Sequence, residues 1–114
     1  MTPKSGKAKG RRFQNWIRDK LLERFSFISP TDIKCAIMGE GGADIQFSGI
    51  AKASIPLNIE AKNVEKLNIW AAYAQACAHE GDEEPVLFFK RNRQEPLVAV
   101  RAEYFIELIG KYYG

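Results

Sequence analysis

Three side chains in this sequence have the types and spacing for chemistry on a phosphate ester: Asp44, Glu60 and Lys62. Asp44 follows closely on the glycine pair Gly41-Gly42. Glu60 and Lys62 stand two apart in the run Leu57-Asn58-Ile59-Glu60-Ala61-Lys62. Successive side chains of a β-strand point to opposite faces, so residues two apart share one. Leu57, Ile59 and Ala61 are therefore expected to face a core, with Asn58, Glu60 and Lys62 projecting together on the other side. A strand starting near Asp44 and lying beside this one would bring the two carboxylates together, with Lys62 next to them.

Cutting a phosphodiester requires a nucleophilic water, neutralisation of the developing charge and help for the leaving oxygen. Magnesium supplies much of this, taking a few carboxylate oxygens and keeping several waters. Asp44 and Glu60, with the Ala61 backbone carbonyl as a further ligand, suit that demand. Lys62 beside a dication either positions or deprotonates the attacking water, or stabilises the negative transition state. The plainer alternative is an exposed ion pair between Glu60 and Lys62 on an ordinary strand. The glycine bend before Asp44, the alternation around Glu60 and a helix directly after Lys62 favour the catalytic reading.

The elements that must position these groups can be read from periodicity. Phe13, Trp16, Ile17, Leu21 and Phe25 recur at helical spacing and predict a helix over 10–25. Ser29-Pro30-Thr31-Asp32 breaks it. Strands are expected over 33–38, 44–47 and 56–61, with a bend at Gly39-Glu40-Gly41-Gly42 and a loop containing Gly49. The second helix is expected over 64–80, with Leu67, Trp70, Tyr73, Ala74 and Cys77 on its buried face and Gly81 as its C-cap. Strands over 86–90 and 97–101 follow, joined by the turn Asn92-Arg93-Gln94-Glu95. A last short helix covers 102–109. The order α-β-β-β-α-β-β-α predicts an α/β fold with a central mixed β-sheet flanked by helices.

The 114 residues suit one domain, and no apolar run approaches the about 20 residues that span a bilayer. No hydrophobic run follows the basic start, so a secretory signal is not expected. Cys35 and Cys77 lack metal-ligand spacing and read as free thiols of a reducing, cytoplasmic setting. The net charge of +3 divides unevenly. Lys4, Lys7, Lys9, Arg11 and Arg12 give residues 1–12 a charge of +5, and the remainder carries −2. Residues 1–12 are expected to form a flexible basic arm ahead of a domain over 13–114; the arm either contacts nucleic acid or is simply solvated. Lys90, Arg91 and Arg93 form a second basic group at a hairpin tip, gripping phosphate or facing solvent. The acidic run from Glu80 to Glu84 reads as a solvated loop. With one histidine, His79, expected at the surface near a helix end, a zinc centre or histidine-based nuclease is disfavoured.

The chain resembles the PD-(D/E)XK nuclease superfamily, and within it the small archaeal-type Holliday junction resolvases, which phages also carry. The resemblance runs from Lys9 to about Ile109. Gly10-Arg11-Arg12-Phe13 matches the basic opening of the first helix, Gly39 to Asp44 the glycine-rich bend and metal-binding acid, and Ile59-Glu60-Ala61-Lys62 the E-x-K strand. It implies a restriction-endonuclease-like core, magnesium or manganese dependence, no small-molecule cofactor, a homodimer and branched DNA as substrate. For a phage protein the compartment would be the host cytoplasm. Two departures stand out. Where the resolvases carry a glutamate early in the first helix, this chain has Gln14, so either a water-mediated contact or Glu23 takes its place. Glu40 occupies a bend position that is often serine, and either restores the missing acid or is a solvated loop carboxylate. Many superfamily members also place a polar residue on the helix after the E-x-K strand. Gln75 is the matching residue, with plain helix surface as the alternative.

Trp16, Trp70, Tyr73, Phe88 and Phe89 are expected mainly in the core, some of them at a protomer interface with Tyr104, Phe105, Tyr112 and Tyr113. The leading expectation is thus a metal-dependent endonuclease nicking branched DNA symmetrically as a dimer. Its rivals are a repair, restriction-like or single-strand nuclease on the same core, a catalytically inactive nucleic-acid-binding module, and a protein-interaction domain.

Overall fold

A computed structural model describes residues 3–37, 40–79 and 81–114. The elements are α1 (Pro3–Arg24), a 3-10 turn (Pro30–Asp32), β1 (Ile33–Cys35), β2 (Ile45–Phe47), α2 (Gly49–Ser54), β3 (Leu57–Asn63), α3 (Ile69–Cys77), β4 (Glu84–Lys90), β5 (Leu97–Ala99) and α4 (Ala102–Tyr113). The five strands form one mixed sheet in the order β1-β2-β3-β4-β5. The β3–β4 pair alone is parallel, and the other neighbours are antiparallel. A parallel pair needs a crossover, and α3 supplies it. The expected class, a mixed sheet flanked by helices, is the observed one.

The main core lies between α1 and the sheet. Phe13 and Ile17 of α1 meet Ile33, Ile45, Ile59 and Val86, one inward side chain or more from each of β1 to β4. Arg18 ties the same helix to the start of β1, donating to the carbonyls of Pro30 and Ile33 at 2.6 Å each. Trp16 lies at the edge of this core, 41% exposed and stacked on Phe13 with ring centroids 6.1 Å apart.

The opposite face of the sheet is covered by α3, in a different phase from that expected. Its buried residues are Ala72 and Ala76, whereas Trp70 is 86% exposed and Ala74 and Cys77 face solvent. Periodicity weighted by hydrophobic bulk selects the large residues. The helix instead turns Ala72 and Ala76 to the sheet, where Asn58 of β3 donates to the Ala76 carbonyl. The helix is also shorter than the spacing suggests. Asn68 caps it, its side chain accepting from the Ala71 N–H at 3.1 Å, and Ala78 closes it. Gly81, with φ of +121°, lies beyond the cap rather than forming it. Glu80, the expected last residue, and Met38 and Gly39 of the expected strand end and bend lie outside the described residues.

Three further differences have local causes. Residues 3–12, expected as a flexible arm, are the first half of α1, a segment in which five of ten residues are the helix-forming Lys and Arg. The loop around Gly49 contains α2, which buries Ala51 and is closed by the buried Ile55. Gly49 has φ of +54° and packs on Asp32, where an added Cβ would lie 3.0 Å from Oδ2. Ser48 donates through Oγ to Asp32 Oδ1 at 3.2 Å, fixing the entry to α2. At the far end α4 runs to Tyr113, past the expected Ile109, and buries none of its residues. It is joined to the sheet by a two-pronged ion pair, Arg101 donating to both oxygens of Glu84 at 2.7 and 2.8 Å. Among the described residues no helix is long and apolar enough to cross a membrane.

Candidate active site

The strand that starts near Asp44 does lie beside β3, antiparallel, with Ile45 opposite Ile59. The Asp44 N–H donates to the Ile59 carbonyl at 3.0 Å, so the ladder reaches back to Asp44 itself. Ile45 and Ile59 point to the α1 core, and alternation therefore turns Asp44 and Glu60 to the α3 side. Asp44 Oδ2 accepts from the Ala61 N–H at 2.8 Å, which leaves its second oxygen for another partner.

Glu60 is 7% exposed. Its Oε2 lies 2.9 Å from His79 Nε2 and its Oε1 3.8 Å from Lys62 Nζ. Burial pushes the Asp44 carboxyl above the ordinary carboxylate range. The adjacent negative charge of Glu60 and a hydrogen bond shared with it push the same way, while the Ala61 N–H and Lys62 pull back. Buried beside a second carboxylate, Asp44 is costly to ionise, and a cation between the two would relieve that cost. Among the described residues no three His, Cys, Asp or Glu side chains form a cage able to hold a metal alone. Two carboxylates fit a magnesium ion that keeps waters and takes substrate oxygens, and do not fit a structural zinc.

The remaining expected site residues stand elsewhere. Gln14 is half-buried on α1 and makes no hydrogen bond to Asp44 or Glu60, and Gln75 is exposed on α3. Glu40 pairs with Lys34 at 3.6 Å and accepts from the Ile37 N–H at 3.2 Å, within its own loop. Glu23 is engaged on the helix surface by Lys20 at 3.8 Å. The Ala61 side chain packs against the core, and its backbone N–H serves Asp44.

His79 belongs to the site, although its position near a helix end suggested a surface residue. The usable signal was topological. A crossover helix between parallel strands runs back over the first strand, so its C-terminal end returns toward Glu60. Asn58 marks that return: it is buried and its Nδ2 donates to the Ala76 carbonyl at 3.2 Å. A cavity of about 240 Å³ adjoins this point, with Gln46, Lys52, Asn58 and His79 in its wall.

One acid joins α1 to the β4–β5 tip. Glu65 lies 4.0 Å from Lys9 Nζ on α1 and accepts from the Asn92 N–H at the β4–β5 tip at 3.2 and 3.3 Å. Lys7, Arg11 and Arg12 are exposed on α1, and Arg91 and Arg93 are exposed at the β4–β5 tip. Lys9 differs from its neighbours, being 6% exposed and committed to Glu65. The larger cavity, about 500 Å³, opens at this end rather than at the carboxylates, between Leu67, Ile69, Phe89 and the Lys90-Arg91 corner. No family model, curated protein or solved structure matches the chain.

Proposed function

We propose that this protein is a metal-dependent DNA endonuclease of the PD-(D/E)XK type, acting on branched DNA such as a four-way junction as a homodimer. The observation that carries the reading is the meeting of Asp44 and Glu60 from adjacent strands, with Lys62 at 3.8 Å from one of them. Asp44, Glu60 and the Ala61 carbonyl would hold Mg2+, with Mn2+ able to substitute. Bound there, the ion supplies charge neutralisation at the scissile phosphate and acidifies a bound water. Lys62 then stands on the same strand face as Glu60, where an ammonium stabilises negative charge developing on the phosphate or orients the attacking water.

DNA binding is read from the exposed Lys7, Arg11, Arg12, Arg91 and Arg93 with half-buried Lys90. Such contacts to phosphate make affinity salt-dependent and indifferent to sequence. The dimer reading is supported by α4, where Phe105, Tyr112 and Tyr113 are 54–80% exposed, and by Leu97 and Val98 on the edge strand β5. At about 150–250 Å² per aromatic side chain, those three offer roughly half of the about 800 Å² per partner of a standard interface. The unpaired thiols of Cys35 and Cys77 suit a cytoplasmic setting.

A second reading, a nucleic-acid-binding module without catalysis, is favoured by one observation. Gln14 is neutral and Glu40 is turned to Lys34, so neither adds a third acid to the pair. Cleavage of a labelled four-way junction, beside matched duplex and single strands, separates the readings in Mg2+, Mn2+ and EDTA. Paired metal-dependent nicks across the junction, lost in Glu60→Gln with binding retained, are expected. Cutting of linear DNA instead would retain a nuclease and reject junction resolution. Tight binding without cutting in any metal would select the inactive module.

A further inference from the structure

We propose that His79 is a positioning residue for the metal site, holding the Glu60 carboxylate in the orientation that binds the cation; this rests on reading Asp44 and Glu60 as metal ligands. His79 Nε2 lies 2.9 Å from Glu60 Oε2, and the two side chains are only 21% and 10% exposed. A carboxylate oxygen only accepts, so this contact selects the ring form with its hydrogen on Nε2; Oε2 is then occupied and Oε1 is the atom left toward Lys62. A free glutamate loses rotamer entropy when it is ordered. Here the donor meets part of that cost before any metal arrives.

The backbone that carries His79 is itself anchored to the strand that carries Glu60. Asn58, two residues before Glu60, donates to the Ala76 carbonyl, three residues before His79. Ala72 and Ala76 set the close approach of α3 to β3, and the Ala78 N–H bonds back to Ala74 and Gln75. His79 therefore reaches Glu60 from a fixed point. Gln75, one turn earlier, is exposed. With its Nε2 engaged by Glu60 Oε2 at 2.9 Å, the imidazole acts on the carboxylate. Carboxylates that bind metals are themselves hydrogen-bonded, and removing such a partner typically costs about 10–100-fold in metal affinity.

The test is Mn2+ binding by the full chain, read from the free-ion EPR signal and by calorimetry, for wild type, Asp44→Asn, His79→Ala and His79→Gln. Wild type should bind one ion, and Asp44→Asn should abolish binding. His79→Ala should bind about 10–100-fold more weakly with an unchanged circular dichroism spectrum. His79→Gln, whose amide nitrogen reaches the place of Nε2, should recover most of the affinity. Unchanged affinity in His79→Ala, or no recovery in a folded His79→Gln, would overturn the proposal. A nitrogen coupling to Mn2+ in wild type that disappears in His79→Ala would overturn it too, by making His79 a ligand. Absence of any Mn2+ binding by wild type would instead remove the metal-site reading on which the proposal stands.

Discussion

Glu65→Ala tests the most consequential reassignment of a basic residue in this protein. Lys9 reads from sequence as one more phosphate contact, yet it is 6% exposed with Nζ 4.0 Å from Glu65. At that distance two unit charges attract by about 4 kcal/mol at an effective dielectric constant of about 20. The Glu65 side chain is 47% exposed, and solvent screening reduces this to about 1 kcal/mol. Glu65 also accepts the Asn92 N–H, a charge-assisted bond on the surface that contributes about 1 kcal/mol more. Removing the side chain should therefore cost about 2 kcal/mol, a fall in Tm of about 8 °C for a domain of this size. Glu65→Gln keeps the acceptor and loses the charge, so about half that loss is expected. Urea unfolding of both variants and of Lys9→Met, alone and combined, gives the coupling energy directly. The reasoning is refuted if Glu65→Ala costs less than about 0.5 kcal/mol, or if the double mutant shows no coupling between the two sites.

Three further outcomes are expected. Asp44 has a folded pKa raised above its ordinary 3.8, so the native state binds this proton more tightly than the unfolded chain does. Its contribution to stability is then lost as pH rises from about 3.8 through the raised value. Metal-free Asp44→Asn should accordingly be more stable than wild type at pH 7 and no more stable near pH 3, read as Tm across pH. Ile59→Ala, at a fully buried position between α1 and β3, should destabilise by about 2–5 kcal/mol in urea unfolding. Phe105→Glu on the exposed face of α4 should convert a dimer to a monomer in light scattering while leaving Tm within a few degrees; an unchanged mass would reject that face as the interface.

Much of the scaffold was legible because it depends on neighbours in sequence. The alternation in Leu57 to Lys62 correctly placed Ile59 inward and Glu60 and Lys62 together, since the pleat repeats every two residues. The break at Ser29-Pro30 and the crossover between two strands were equally local. The periodicity of α3 misled, because it reports which residues are apolar and not which face a neighbour covers. Alternation put Asn58 and Glu60 on the face opposite the core without saying what covers it, and that face is buried under a helix that turns alanines to the sheet. Glu60 and His79, nineteen positions apart, hold no periodic relation, and only the return of the crossover helix brings them to 2.9 Å.

The sequence by itself determined the five strands, three of the four α-helices, the order of these elements and the pairing of Glu60 with Lys62 on one strand face. These follow from backbone geometry acting over two to four residues. Only the tertiary structure decided that Lys9 is a buried partner of Glu65 rather than a free cation, that Glu40 turns to Lys34, and that His79 stands on Glu60. Each depends on what packs where across fifteen or more residues, or across a loop, and burial is a property of the assembled layers that no single segment carries.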